Sequence, residues 1–431
     1  MAADGTGASR STPGRILRFL SILGPGLTTG ASDDDPSGIG TYAQAGAQLG
    51  YGMNWTLLFS YPLMAAIQEI SARIGRTTGH GIAGNVRRHY PNWLLLGIVL
   101  LLFVADTINI GADLGAMADA VKLLIGGPPL VYVFAFGALS VAAETVLPYD
   151  RYAAVLRWLT LSLFAYVGAA FMADVRWGEA LTGLFVPSLS LGGGFLTTLT
   201  AIFGTTISPY LFFWQAAQEG EELRARPDRQ PLTERPEQAE GAIRRIRTDT
   251  LVGMALSNLI ALAIMITAAA SLHMHGVTDI QSSAQAAEAL KPIAGEFAYG
   301  LFSLGIVGTG LLAVPVLAGA AAYAIGEARK WPVGLARKPL QAKGFYAVLA
   351  ASTALGAILN LTPVNPIRAL YWTAVINGVI AVPVMVVMML MTQRRDIMGD
   401  ATVAGWLRGL GWASTAVMAA GAAGMAASWF G

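Results

Sequence analysis

Eleven apolar stretches, each long enough to cross a lipid bilayer, divide the sequence. A membrane-spanning helix needs about 20 predominantly apolar residues. Only helices and closed barrels satisfy their own backbone hydrogen bonds in lipid, and these stretches lack the alternating pattern of barrel strands. We therefore predict an all-α polytopic membrane protein with spans at residues 16–48, 54–74, 93–120, 129–147, 152–173, 193–217, 250–272, 295–324, 344–361, 368–392 and 403–429.

The composition agrees with a chain that lies mostly in lipid. Of the 431 residues, 55% are hydrophobic and only 13% are charged, whereas soluble globular proteins carry about 25% charged residues. The net charge of +2 does not predict binding to nucleic acid. The lack of cysteine excludes disulfides, thiolate metal sites and cysteine nucleophiles. The sequence thus predicts the lipid bilayer as the main partner of the protein surface.

Lysine and arginine residues are distributed unequally between the two sides of the predicted spans. With the N-terminus inside, 24 of the 28 fall in inner loops or at inner ends of spans, as the positive-inside rule requires. We therefore expect a cytoplasmic N-terminus, with residues 1–15 as a disordered tail and residues 219–248 as a charged cytoplasmic loop. The alanine- and arginine-rich composition favours a bacterial inner membrane.

Three consecutive acids interrupt the middle of the first apolar stretch. Asp33, Asp34 and Asp35 precede Pro36, and each carboxylate at bilayer depth costs about 2.5–3.5 kcal/mol. Pro36 removes a backbone donor, and Gly38 permits unwinding. We therefore predict a helix broken at its midpoint, with carbonyls and carboxylates facing a protected cavity. The alternative, in which the acids lie at a membrane edge, leaves the apolar residues on either side too short to span.

A second interruption lies in the sixth stretch, where Ser208 and Pro209 precede Tyr210. A single proline in a membrane helix usually produces only a kink. Here, however, the two interruptions occupy the same position in two five-helix halves, which is the pattern of an inverted-repeat transporter with a binding site halfway across the membrane. We assign residues 16–173 to the first repeat, 193–392 to the second and 403–429 to an eleventh helix.

Two more acids lie within the third stretch. Asp106 and Asp113 are seven residues apart and therefore share one face of a helix. Two acids on one face predict a wet or proton-conducting wall. Local pairing with arginine or lysine is the alternative.

The motifs around these interruptions resemble those of the natural-resistance-associated macrophage protein (Nramp) family of divalent metal transporters. Residues 24–27 read Gly-Pro-Gly-Leu, and Asp35-Pro36 follows after seven further residues. Residues 67–79 are similar to the family's second helix and the loop after it, and residues 105–114 to its acidic third helix. The resemblance covers approximately residues 16–392. It implies a leucine-transporter-type fold with two inverted five-helix repeats, alternating access and, commonly, proton coupling.

The resemblance also implies roles for individual residues. Asp35 matches the metal-binding aspartate of the family, and Ser32 and Thr205 match two positions that offer backbone carbonyls. Asp34 is a further candidate ligand, or is protonated because like charges lie beside it. Pro36 and Pro209 mark the two breaks and are expected to take part in gating.

This chain departs from the family pattern at three positions. The position of the asparagine ligand is Gly38, that of the methionine ligand is Ser208, and that of the histidine on the sixth helix is Tyr210. A thioether favours softer transition ions, so its loss leaves a site of oxygen ligands alone. Mg²⁺ keeps several of its waters when bound. We therefore expect a site for hydrated Mg²⁺ or Mn²⁺, as the resemblance to Nramp-related magnesium transporters also implies.

The expected function is uptake of this cation, uncoupled or weakly coupled to protons, with Asp106, Asp113 and Tyr210 as the candidates for a proton pathway. The membrane potential supplies about 2.3 kcal/mol per charge per 100 mV. A symporter of a small amino or carboxylic acid with the same fold remains an alternative, as does a channel or a sensor. We expect no enzymatic activity and no cofactor, and the oligomeric state stays open, a monomer included.

Overall fold

Helices make up almost all of the computed structural model, which describes residues 25–147, 161–190, 192–226 and 228–430. The main helices, numbered along the chain, are α1 Pro25–Asp33, α2 Pro36–Leu49, α3 Asn54–Thr78, α4 Asn92–Ile125, α5 Pro129–Val146, α6 Phe164–Met172, α7 Gly193–Thr206, α8 Pro209–Ala225, α9 Ala239–Ser271, α10 Ala298–Arg329, α11 Lys343–Leu359, α12 Pro366–Met391 and α13 Gly405–Phe430. Short helices at Ile82–His89, Trp177–Phe185, Ser283–Glu288, Lys291–Ala294 and Arg395–Met398 connect them.

These helices overlap all eleven predicted spans, and two of these spans are broken. The first span consists of α1 and α2, and the sixth consists of α7 and α8. Within the described ranges, seven helical segments are long and apolar enough to cross a membrane, and one of them, Gly193–Ala225, is the broken sixth span. The predicted tail at 1–15 and the first residues of spans one and five lie outside the described residues.

Both breaks lie where the prolines predict them. Helix α1 ends at Asp33, and α2 begins at Pro36. Helix α7 ends at Thr206, and α8 begins at Pro209. Proline suits the first position of a helix because its missing N–H has no partner there in any case. The prediction of two interrupted spans is confirmed.

Close contacts between glycines hold the half-helices against other spans. A β-carbon on Gly30 of α1 would lie 2.4 Å from the carbonyl oxygen of Gly253 on α9. A β-carbon on Gly204 of α7 would lie 1.9 Å from the carbonyl oxygen of Ala374 on α12. Small residues allow membrane helices to approach this closely. The contacts therefore place the first break next to a span from the opposite half of the chain, and the second break next to a span from its own half.

The predicted cytoplasmic loop at 219–248 differs from expectation, since most of it is helical. Helix α8 continues to Ala225 and α9 begins at Ala239, which leaves a connection of only 13 residues, 226–238. Part of this connection lies against the end of α3, where the backbone N–H of Leu232 donates to the carbonyl of Arg76 at 3.4 Å. Arginine–glutamate pairs such as Arg245–Glu219 allow these charged helical turns to pack.

Candidate cation site

The carboxylate of Asp35 lies between the two breaks and is buried, with 1% of its surface exposed. Oδ1 caps the start of α2, where it accepts hydrogen bonds from the backbone N–H of Gly38 and the hydroxyl of Ser37, both at 2.7 Å. Oδ2 accepts from the amide of Asn109 at 3.2 Å, and the hydroxyl of Tyr210 lies 3.4 Å from it. The carboxylate thus joins α2, α4 and α8.

The second break supplies hydroxyl groups to the same region. Tyr210 donates to the carbonyl of Ser32 at 2.9 Å, and the hydroxyl of Ser208 lies 2.7 Å from the carbonyl oxygen of Gly204 and 2.9 Å from that of Thr205. Both carbonyls that the sequence predicts as ligands are therefore covered by a hydroxyl, which a bound cation would replace. A β-carbon on Gly38 would lie 3.2 Å from the hydroxyl of Thr205, so the two breaks are in contact.

Two asparagines that the sequence analysis missed extend this network. The Asn109 amide donates to Asp113 at 3.1 Å as well as to Asp35. The amide of Asn377 on α12 donates to the side-chain oxygen of Asn109 at 3.1 Å. All of these side chains are buried. Asn109 is four residues from Asp113, so the two share a helix face, and this spacing could have predicted the role of Asn109.

Asp33 and Asp34 contact a different helix from Asp35, although they precede it directly. Ser257 on α9 donates to Asp33 at 2.5 Å and lies 3.1 Å from Asp34. The structure therefore brings Asp35 together with the predicted residues Ser32, Thr205 and Ser208, but it places Asp34 against α9.

The acids of this region have no basic partner. Across the described ranges, none of Asp33, Asp34, Asp35, Asp106 and Asp113 forms an ion pair with lysine, arginine or histidine. Among the same residues, no three acidic or histidine side chains form a ready metal cluster. A buried charge without a partner is costly, so this region requires positive charge from protons or from a bound cation, completed by carbonyls, hydroxyls and water.

Asp106 stands apart from the hydrogen-bonded network. It is buried, and neither of its carboxylate oxygens has a hydrogen-bond partner among the described residues. The alternative prediction, that Asp106 pairs locally with a basic residue, is therefore not supported by the described residues.

A cavity of about 640 Å³ opens on the outer side, the side predicted to be extracellular. It is lined mainly by α2, the start of α7 and the start of α12, with Gln44, Gln48, Thr197, Tyr371, Trp372 and Trp429 among its residues. In the wall of the cavity, the hydroxyl of Thr198 bonds to Gln48 and to Tyr371, both at 2.9 Å. The lining also includes Gly40, one helical turn from Pro36, so the cavity extends towards the first break.

Several layers close the inner side. Gln68 bonds to Gln215 at 2.5 Å, and Ser71 donates to the carbonyl of Phe212 at 2.5 Å, which joins α3 to α8. Nearer the inner surface, Glu221 accepts from Tyr323 and from the backbone N–H of Ala336, the latter at 2.6 Å. These contacts hold α3, α8 and α10 together on the inner side.

Comparison with known proteins places the chain in a family. The family model described as natural resistance-associated macrophage protein-like matches residues 26–428. The chain belongs to the Nramp family. Its relatives include the divalent metal cation transporters MntH of Klebsiella pneumoniae subsp. pneumoniae, 26% identical over 93% of this chain and 92% of the relative, and of Deinococcus radiodurans, 27% identical over 92% and 88%.

Solved structures agree with the Nramp assignment at the level of the fold. The crystal structure of the Eremococcus coleocola manganese transporter superposes with a TM-score of 0.73 at 15% identity, covering 98% of this chain and 90% of that one. MhsT in complex with L-phenylalanine superposes with a TM-score of 0.62 at 12% identity, covering 94% and 97%. The leucine-transporter-type fold is confirmed.

Nramp membership also confirms the broad functional class. The chain is a multi-pass membrane transporter of divalent metal ions rather than an enzyme. The metal ion is the transported substrate, and members of the family use no cofactor.

Proposed function

We propose that this Nramp protein takes up a hydrated divalent cation, Mg²⁺ or Mn²⁺, by alternating access through a site at Asp35. The observation that supports this best is the set of groups around the carboxylate. Among the described residues, the Asp35 carboxylate is bonded only by hydroxyl, amide and backbone N–H groups, and the position of the thioether ligand carries the hydroxyl of Ser208. Such a site offers oxygen ligands, which hard cations prefer.

The proposed ligands are Asp35 together with the carbonyls of Ser32 and Thr205. Tyr210 and Ser208 hold these carbonyls when no ion is bound, and they become available to bond the waters of the ion when it binds. Mg²⁺ gives up its waters reluctantly, so a site lined with groups that bond water suits it better than one that requires a bare ion.

The proposed direction is inward, from the outer cavity to the cytoplasm of a cell whose inner membrane holds the protein with its N-terminus inside. A divalent ion gains about 4.6 kcal/mol at an inside-negative potential of 100 mV. This is sufficient driving force without protons, and we propose uncoupled or weakly coupled uptake. Any coupling would use Asp106 and Asp113, since the proposed site has Tyr210 in place of a histidine.

The charge of the region argues against an amino or carboxylic acid as the substrate. A carboxylate solute needs a basic side chain or a free helix N-terminus as its partner. The start of α2 is already capped by Asp35, and the acids around the breaks have no basic partner among the described residues.

Uptake into proteoliposomes, measured in parallel for Mg²⁺, Mn²⁺, Ca²⁺ and Cd²⁺, tests the proposal. We expect uptake of Mg²⁺ and Mn²⁺ in preference to Cd²⁺, and loss of all uptake in Asp35→Ala. Asp119→Asn is the matched control, because Asp119 lies on the same helix as Asp113 and bonds only to Ser283 among the described residues. Normal uptake in Asp35→Ala would contradict the site, and preference for Cd²⁺ would contradict the proposed ions.

A further inference from the structure

The carboxylates of Asp33 and Asp34 converge on one hydroxyl group. Ser257 Oγ lies 2.5 Å from Oδ2 of Asp33 and 3.1 Å from Oδ1 of Asp34. A hydroxyl has a single hydrogen to donate, so it cannot fully satisfy both oxygens. Both acids are buried, with 1% and 3% of their surfaces exposed. Two carboxylates therefore meet in the protein interior around a donor that is sufficient for only one.

This pair lies apart from the proposed substrate site. The partners of Asp35 belong to α2, α4 and α8, whereas Asp33 and Asp34 contact α9 through Ser257. Asp33 is also the last residue of α1 and Asp34 follows it, at the helix end where the dipole and the terminal carbonyls favour a positive charge. Because α1 is the half of the first span on the inner side, the pair lies at the inner edge of the break.

Two buried polar atoms near Asp33 and Asp34 have no hydrogen-bond partner in the part of the chain that the structure describes. Oδ1 of Asp33 is buried and has no hydrogen-bond partner among the described residues. The hydroxyl of Tyr42, on a side chain with 0% exposure, also has none within that part of the chain. It lies near the hydroxyl of Thr205 and within reach of the charges of Asp33, Asp34 and Asp35. Buried polar atoms are normally satisfied, so a ligand is expected between them.

We infer that Asp33, Asp34 and Ser257 form a second cation site, separate from the one at Asp35. Its two carboxylates match the charge of a divalent cation, and its ligands are oxygen atoms throughout. The inference rests on the proposed function in one respect, namely that the cation is the transported one. The second site then holds the ion after it leaves Asp35 and before it reaches the cytoplasm.

The backbone contact between Gly30 and Gly253 marks where α1 must separate from α9 for the ion to leave this site. It holds α1 against α9 one turn before the acids. A movement of α1 away from α9 would separate Asp33 and Asp34 from Ser257. The same movement that opens the inner side would therefore break the second site and free its ion.

Binding stoichiometry tests the inference without transport. Mn²⁺ is titrated into the purified full chain in detergent, and bound ions are counted by electron paramagnetic resonance, which also detects magnetic coupling between two nearby Mn²⁺ ions. We expect two bound Mn²⁺ with measurable coupling in the native chain. Asp35→Asn and the double variant Asp33→Asn/Asp34→Asn should each bind one ion and lose the coupling.

A milder variant tests the same site with less risk that the protein fails to fold. Ser257→Ala should lower the affinity for the second Mn²⁺ at least tenfold, in the range found when groups that support metal ligands are removed. The affinity for the first Mn²⁺, at Asp35, should not change. Ser352→Ala is the matched control, because Ser352 is a buried serine that bonds only to a carbonyl of its own helix. It should retain both ions.

The possible failures are distinguishable. A native chain that binds one Mn²⁺, lost in Asp35→Asn and unaffected in Ser257→Ala, overturns the second site and leaves the proposed function intact. Loss of both ions together in Ser257→Ala also overturns it, since it would mean that the acids form one site. Normal uptake by Asp35→Ala would instead contradict the proposed function.

Discussion

The side-chain amide of Asn109 lies 3.2 Å from the carboxylate of Asp35. The contact joins the middle of a continuous span, α4, to the break in the first span. Asn109 also donates to Asp113 and accepts from Asn377, so one amide connects three spans at the level of the proposed site. A neutral donor can orient Asp35 without neutralising it, which leaves the negative charge available for a cation.

Replacing Asn109 should therefore weaken cation binding. We expect Asn109→Ala to lower the affinity for Mn²⁺ by about 10- to 100-fold, as is usual when a group that orients a metal ligand is lost. Calorimetry in detergent measures this affinity. Asn54→Ala is a suitable control, since Asn54 is also buried but bonds to the carbonyl of Ala180, away from the breaks. Equal affinity in both variants would contradict a role for Asn109.

The hydroxyl of Ser208 should determine which ions are preferred. In Ser208→Met the thioether adds a soft ligand, so we expect a shift toward Cd²⁺ and Mn²⁺ at the expense of Mg²⁺. Competition uptake in proteoliposomes measures the ratio. If the order of preference stays as in the native chain, the assignment of Ser208 to the thioether position is wrong.

The crossing of α7 and α12 should not tolerate a methyl group. In Gly204→Ala the new β-carbon would lie 1.9 Å from the carbonyl oxygen of Ala374, and overpacking of this kind costs about 1–3 kcal/mol. We expect a lower midpoint of thermal unfolding in detergent. Gly97→Ala is the matched control because nothing lies within 4 Å of its β-carbon position, and its midpoint should not fall. Equal midpoints would contradict the close crossing.

Loss of the bond between Tyr323 and Glu221 should loosen the inner closure. A hydrogen bond to a charged group contributes about 1.5–3 kcal/mol, so Tyr323→Phe should raise the population of inward-open molecules at least tenfold. The chain has no cysteine, and a single reporter introduced by Ala217→Cys on α8 measures opening by its rate of thiol labelling. Tyr371→Phe, in the wall of the outer cavity, should not raise this rate. A similar rate in the Tyr323 variant and the parent would contradict the role of this bond.

His80 should make the protein less stable in acid. Burial lowers the pKa of His80 to about 4, with contributions from Arg88 and Arg224, whereas the unfolded pKa is about 6.5. The unfolded chain thus binds a proton that the folded chain resists, and stability falls as the pH drops from 6.5 to 4. The unfolding midpoint of His80→Gln should decline less over this range than that of the native chain. The exposed His275→Gln is the control, and identical pH profiles for the two variants would contradict the prediction.

The sequence predicted the breaks because proline and clustered acids have few tolerable conformations inside a membrane helix. It could not predict which way each acid faces. Asp33, Asp34 and Asp35 are neighbours in the chain, and their separation between α9 and the α2, α4 and α8 side depends on packing between distant segments. Asn377 was not predicted for a related reason, because the role of a single amide in an apolar helix depends on the side chain that it contacts.

The charged segment at 219–248 shows a different limit of sequence reading. Its prolines and its charge predicted a solvated loop, yet its glutamates and arginines pair across turns of α8 and α9. Charge alone does not distinguish a loop from a helix whose charges neutralise one another.

The extension of the outer cavity to Gly40 has a consequence for inhibitors. Gly40 lies one helical turn from Pro36, so a compound that fills the cavity would lie close to the first break and hinder any movement of α2. Blocking agents designed against this transporter should accordingly act from the side of the membrane on which the cavity opens, which the sequence predicts to be the cell exterior.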